Sequence, residues 1–157
     1  MNYVKAQKEI FDRLSHGDRV GCFAVGEEKI FVTPDGYKGY IFPLNIVAFN
    51  CEKLQQIKTL ELDSICTPEN ELTLTNDAKL LQIGSRREFC ICMKGTGKRV
   101  FVRSKFLEPF QNPKFYQKLG EKLGHVVVTE RSTRGVKEYP VGVVLPIRTP
   151  DWDEDDT

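Results

Sequence analysis

The thirteen residues FVTPDGYKGYIFP, from Phe31 to Pro43, constrain the fold more than any other stretch of this chain. Apolar and polar residues alternate on both sides of Asp35-Gly36. Side chains of period two point to opposite faces of an extended backbone, so each flank reads as a half-buried strand. Pro34 presets φ and Gly36 accepts a positive φ, which is turn chemistry. The pattern continues upstream. Val20 to Val25 reads as a strand, Gly26-Glu27-Glu28 as a turn and Lys29 to Thr33 as a strand. With Tyr37 to Phe42 this predicts an antiparallel meander.

The helical signals lie on either side of further strands. Residues 3–15 predict a helix with Val4, Ile10, Phe11 and Leu14 on one side, ended at Gly17. Short strands are expected at Leu60–Ile65, Glu71–Thr75 and Lys79–Ile83. Further strands follow at Glu88–Lys94 and Arg99–Arg103, joined by a Gly95-Thr96-Gly97-Lys98 hairpin turn. Asn112 as cap and Pro113 at the first position predict a second helix ending at Gly124. Its Phe115, Leu119 and Leu123 form one stripe, with Lys114, Lys118 and Lys122 beside it. Two strands, His125–Glu130 and Val141–Ile147, complete the pattern. The expectation is an α+β domain over residues 1–149: an antiparallel sheet with two helices on one face. Residues 150–157 form an acidic flexible tail.

Composition excludes several classes. No apolar run approaches the roughly 20 residues needed to cross a membrane, and the charged N-terminus is not a signal peptide. The five cysteines lack C-x-x-C spacing, which implies reduced thiols, no metal site and a cytoplasmic protein. The formal net charge of +1 hides an asymmetry. The tail DWDEDDT is acidic, whereas Lys79 to Lys105 is rich in lysine and arginine. A basic body with an acidic tail suggests a polyanion-facing surface for which the tail competes. Solvated strand positions explain the same bases without any ligand.

The segment VFVRSKFLEPF…FYQKLGEKLGHVVVTER…YPVGVVLPIR resembles the last domain of bacterial sliding clamps, the β subunit of the replicative DNA polymerase. Leu145-Pro146-Ile147-Arg148 matches the family's terminal Pro-x-Arg segment. Thr33, Asp35, Gly36 and Tyr37 match its Thr-Asp-Gly motif, with Pro34 inserted and Lys38 standing where the clamp has arginine. Clamp chains carry three such domains and are more than twice this long. The resemblance implies a clamp-like module that docks a hydrophobic partner peptide at Thr33, Gly36, Tyr37, Lys38, Leu145, Pro146, Ile147 and Arg148. It also implies helices that follow the phosphates of double-stranded DNA, and assembly from several copies as a homo-oligomer.

Candidate DNA-binding residues are Lys5, Lys8, Arg86, Arg87, Arg99, Arg103, Lys114, Lys118 and Lys122, for contacts that read no bases. The alternative is an adaptor that binds protein alone. An enzyme is not expected, because His16 and His125 stand beside no nucleophile motif. Gly95-Thr96-Gly97-Lys98 lacks the spacing and following helix of a phosphate loop. No cofactor is expected.

Overall fold

The computed structural model describes residues 1–132, 135 and 137–148. The expected tail, residues 150–157, lies outside them. One α-helix, α1 (Tyr3–Ser15), opens the chain. The Asn2 side chain caps it by accepting from Lys5 N–H at 3.1 Å. Ala6 and Ile10 are fully buried, with Tyr3 and Leu14 packed beside them. The buried stripe is therefore 3-6-10-14, and the expected Val4 and Phe11 lean outward, Val4 being 80% exposed.

The meander forms as its alternation dictates. Strands β1 (Gly21–Val25), β2 (Lys29–Thr33) and β3 (Lys38–Pro43) pair antiparallel. Tyr40 and Phe42 face α1, while Phe23, Phe31 and Ile41 face the other way. The Phe31 ring lies against Gly39, where a Cβ would come within 2.2 Å of Phe31 Cζ. Past two short 3-10 turns, β4 (Gln55–Gln56) runs parallel to β1. Residues 57–66 then cross the outer face, and Ile57, Leu60, Leu62 and Ile65 cover its aromatic cluster. The strand expected at 60–65 is instead this covering segment, ending in a 3-10 turn at Asp63–Ile65.

The second half contains β5 (Glu71–Ile83), β6 (Arg86–Gly95), β7 (Lys98–Arg103), β8 (Lys114–Tyr116), β9 (Val126–Arg131) and β10 (Glu138–Val144). All ten strands join one sheet in the order β4-β1-β2-β3-β10-β9-β8-β5-β6-β7. Beyond β10, Ile147 N–H donates to Phe101 of β7 at 2.8 Å. The chain leaving the central strand β10 thus touches the far edge strand. This one bridge draws the chain after β10 to β7, and Met93, Val102, Phe115 and Val128 share one buried cluster with Ile10 of α1 and Phe42 of β3.

The expected architecture is corrected by these findings: α1 is the single α-helix among the described residues, and the ten-stranded sheet is mixed. The expected helix from Asn112 to Gly124 is absent for identifiable reasons. Asn112 takes φ 45°, unlike a helix cap. Phe115 and Tyr116 are both buried, but in clusters on opposite faces of the sheet, as strand neighbours must be. Gly120 turns the chain at φ 85°. The loop is then held from inside: Gln117 Nε2–H donates to the Lys122 carbonyl at 3.2 Å and to that of Gly124 at 2.7 Å. Long-range pairing outweighs a local helix signal. No helix among the described residues is long and apolar enough to cross a membrane.

Candidate functional site

The turn at Thr33–Lys38 is wired by its own side chains. Thr33 Oγ1 accepts from Gly36 N–H at 2.9 Å and donates to the Lys38 carbonyl at 2.6 Å. Asp35 Oδ1 accepts from Tyr37 N–H at 2.9 Å and from Lys38 N–H at 3.2 Å. Gly36 takes φ 80°, which favours glycine. Thr33 and Asp35 are thus consumed in holding the turn. What the turn presents outward is the Tyr37 ring, 55% exposed. The end of β10 is tied to it, because Leu145 N–H donates to the Tyr37 carbonyl at 2.8 Å.

Beside this turn lies a mostly apolar recess of about 220 Å³. Thr33, Gly36, Tyr37, Lys38 and Leu145 line it, so five of the eight expected partner-binding residues come together. Its floor is Phe31 and Val143, and the covering segment supplies Ile57 and Leu60. His125 closes one side, its Nε2–H donating to the Glu61 carbonyl at 2.9 Å. Such a volume suits one large apolar side chain rather than a cofactor.

The remaining expected partner residues lead away from it. Ile147 bridges to β7 and packs against Phe101, Cys90 and Cys92. Pro146 is half-buried and Arg148 is exposed. Lys38 lines the recess, yet its ammonium pairs with Glu9 of α1 and lies 4.6 Å from the Phe106 ring centroid. A charged rim at the mouth is therefore not its role. Above Tyr37 sits Arg103, with its guanidinium carbon 5.4 Å from the ring centroid.

The nine expected DNA-binding residues do not form one stripe. Five have carboxylate neighbours: Lys5 with Glu108, Arg99 with Asp77, Arg103 with Glu88, Lys114 with Glu71 and Lys118 with Glu121. Arg103 shares Glu88 with Lys105, and these contacts hold the Glu88 carboxyl below its usual range: the Lys105 hydrogen bond leads, outweighing burial. Without the second helix, Lys114 sits in β8 while Lys118 and Lys122 sit in the loop after it. Lys8 is exposed on α1, and Arg86 and Arg87 are exposed at the far end of the β5–β6 hairpin.

A larger cavity of about 830 Å³ near Glu130 and Glu138 offers a poorer site, because its carboxylates are occupied. Glu130 accepts from the N-terminal ammonium and from Gln111 N–H. Glu138 accepts from Tyr116 Oη–H and Thr129 Oγ1–H. Burial, the largest single influence, raises its pKa, but the Thr129 and Tyr116 hydrogen bonds together with the charges of Lys114 and Arg131 hold the carboxyl below its ordinary range. Carboxylates so satisfied are poor general bases.

Sequence reasoning missed Ile57, Leu60 and His125 as walls of the recess. Nothing in their local pattern signals which distant turn they will face. It also missed Phe89 and Leu80, both large, apolar and exposed on the β5–β6 hairpin. Alternation alone reads both as ordinary strand residues. No family model matches the chain, and neither a curated protein nor a solved structure matches it.

Proposed function

We propose that this chain is a non-catalytic docking module of the cytoplasm, whose recess between the Thr33–Lys38 turn and Leu145 seats an apolar side chain of a partner peptide. One observation carries the reading. A turn locked by four hydrogen bonds holds an exposed tyrosine over a mostly apolar recess, and the Lys38 and His125 side chains that line it are engaged by Glu9 and by the Glu61 carbonyl. A preformed apolar recess with few polar groups suits a peptide anchor, since little ordering is needed on binding. The sliding-clamp resemblance supports the same chemistry, because there the corresponding segments dock short hydrophobic peptides.

Selection of random displayed peptides on the full chain, followed by calorimetry of the winners, tests this. Winners should share an apolar anchor, lose at least tenfold in affinity against Leu145→Glu and bind Phe89→Ala unchanged. Winners indifferent to Leu145→Glu would remove the proposal.

A further inference from the structure

The β5–β6 hairpin extends beyond the rest of the sheet. β7 pairs with β6 only from Cys90 to Gly95, and β8 pairs with β5 only at Glu71 and Leu72. Four rungs remain two-stranded: Leu80–Phe89, Leu81–Glu88, Gln82–Arg87 and Ile83–Arg86. A bare ribbon is marginal in water unless one face is covered. Leu81 and Ile83 provide that cover, packing with Cys90, Phe101 and Ile147 on the outer side.

The opposite face is left open. Phe89 is 66% exposed and its cross-strand partner Leu80 is 49% exposed. Alternation places Arg87 on the same face, two residues from Phe89 and so about 7 Å along the strand. Arg86, paired with Ile83, alternates to the other face beside the Gly84 turn, and both arginines are exposed. Neither has an ion-pair partner among the described residues. The arm's acid, Glu88, is already committed to Arg103 and Lys105. The arm therefore joins an unburied aromatic ring to uncompensated positive charge.

We propose that this Leu80–Phe89 face binds single-stranded nucleic acid, with Phe89 stacking on a base, Arg87 contacting a phosphate on the same face and Arg86 adding positive charge at the end of the ribbon. The charge complementarity selects a polyanion, and the exposed ring selects one with free π-faces. Bases of a duplex are stacked on one another and cannot reach a protein ring without being unstacked. The arm is separate from the recess in strands and in residues, so this site stands or falls independently of the docking role.

Fluorescence anisotropy with labelled oligothymidine of about 20 nucleotides, and with a duplex of equal length, tests it on the full chain at low and moderate salt. The oligothymidine should bind more tightly than the duplex, with affinity falling steeply as salt rises. Phe89→Ala should weaken it by about fivefold to a hundredfold, and Arg86→Glu with Arg87→Glu should flatten the salt dependence. Phe89→Trp, made with Trp152→Phe so that the indole is unique, should restore binding and lose fluorescence when oligothymidine is added. Because Phe89 is exposed, circular dichroism of each variant should match the parent. Absence of binding at low salt, equal affinity for the duplex, or an unchanged affinity in Phe89→Ala would each overturn the proposal. So would displacement by poly-glutamate as readily as by unlabelled oligothymidine, since that marks a site for acidic protein.

Discussion

Lys98 and Gln117 meet beneath the loop between β8 and β9, where the buried Lys98 ammonium donates to the Gln117 carbonyl at 3.4 Å. The same ammonium donates to the carbonyls of Lys118 at 2.8 Å and Glu121 at 3.1 Å. Lys98 is only 6% exposed, and burial pushes its pKa down, with nearby Glu121 acting in the opposite sense. A lysine placed by a hairpin turn thus stands in for the amide donors that a helix would have used.

Replacing this ammonium should loosen the loop. Lys98→Met keeps the apolar stem but leaves the three carbonyls without that donor. Hydrogen bonds to a charged donor suggest a loss of about 2 kcal/mol. Urea denaturation should show a lower midpoint with unchanged slope. Gln117→Leu should act on the same loop, and the double variant should fall short of the sum, because the two side chains share it.

This arrangement marks the limit of what the sequence made legible. The meander could be read because its period-two pattern and its turn residues are local. The turn that frames the recess was readable for the same reason, Thr33 and Asp35 being bonded to neighbours two to five residues away. The helix expected at 112–124 failed because Phe115 pairs across the sheet and Lys98 reaches in from a distant hairpin, while Gln117 ties the loop to itself. Likewise, Asn76-Asp77 reads as a turn between strands ending at Thr75 and beginning at Lys79, yet β5 runs through it. The register shifts between Leu74 and Ala78, Thr75 Oγ1 donates to the Cys92 carbonyl at 2.9 Å, and Arg99 pairs with Asp77. The arm that results from this continuity was invisible to local reading.

Acid should weaken the base of that arm. The pKa of Glu88 is lowered from its ordinary 4.5 by Lys105 first and by Arg103, against the cost of burial. A carboxyl with a depressed folded pKa contributes stability above its unfolded pKa and loses it as pH falls through the folded value. Unfolding free energy should therefore drop as pH falls below about 4.5, and part of that drop should vanish in Glu88→Gln. With Lys105 half-exposed, the difference should be about 1 kcal/mol. Denaturation at pH 7 and pH 3 measures it; equal acid sensitivity in both proteins would refute the assignment.

Thiol reactivity should report the packing. Cys22, Cys90 and Cys92 are buried, and burial pushes the Cys90 thiol up to about 11 and the Cys66 thiol to about 12. Thiolate is the reacting form, so these groups should label slowly at pH 8. Cys51, half-buried near the surface, should label first with a thiol-disulfide reagent. All five should react once the chain is denatured. Rapid labelling of Cys90 in the native state would show that the sheet at β6 opens.

Charge outside the described residues should modulate the arm. The segment 150–157 carries five acids and no base, and its removal takes the formal net charge from +1 to +6. Acids on the same chain compete with phosphates at a high effective concentration. Deleting 150–157 should therefore tighten oligothymidine binding by about tenfold at 50 mM salt, and the two proteins should converge as salt rises and screening shortens. The gain should also disappear when Arg86 and Arg87 are both glutamate, because competition needs a shared site. An equal gain in that background would instead mean that the acids act through the overall field of the protein, without sharing the arm's arginines.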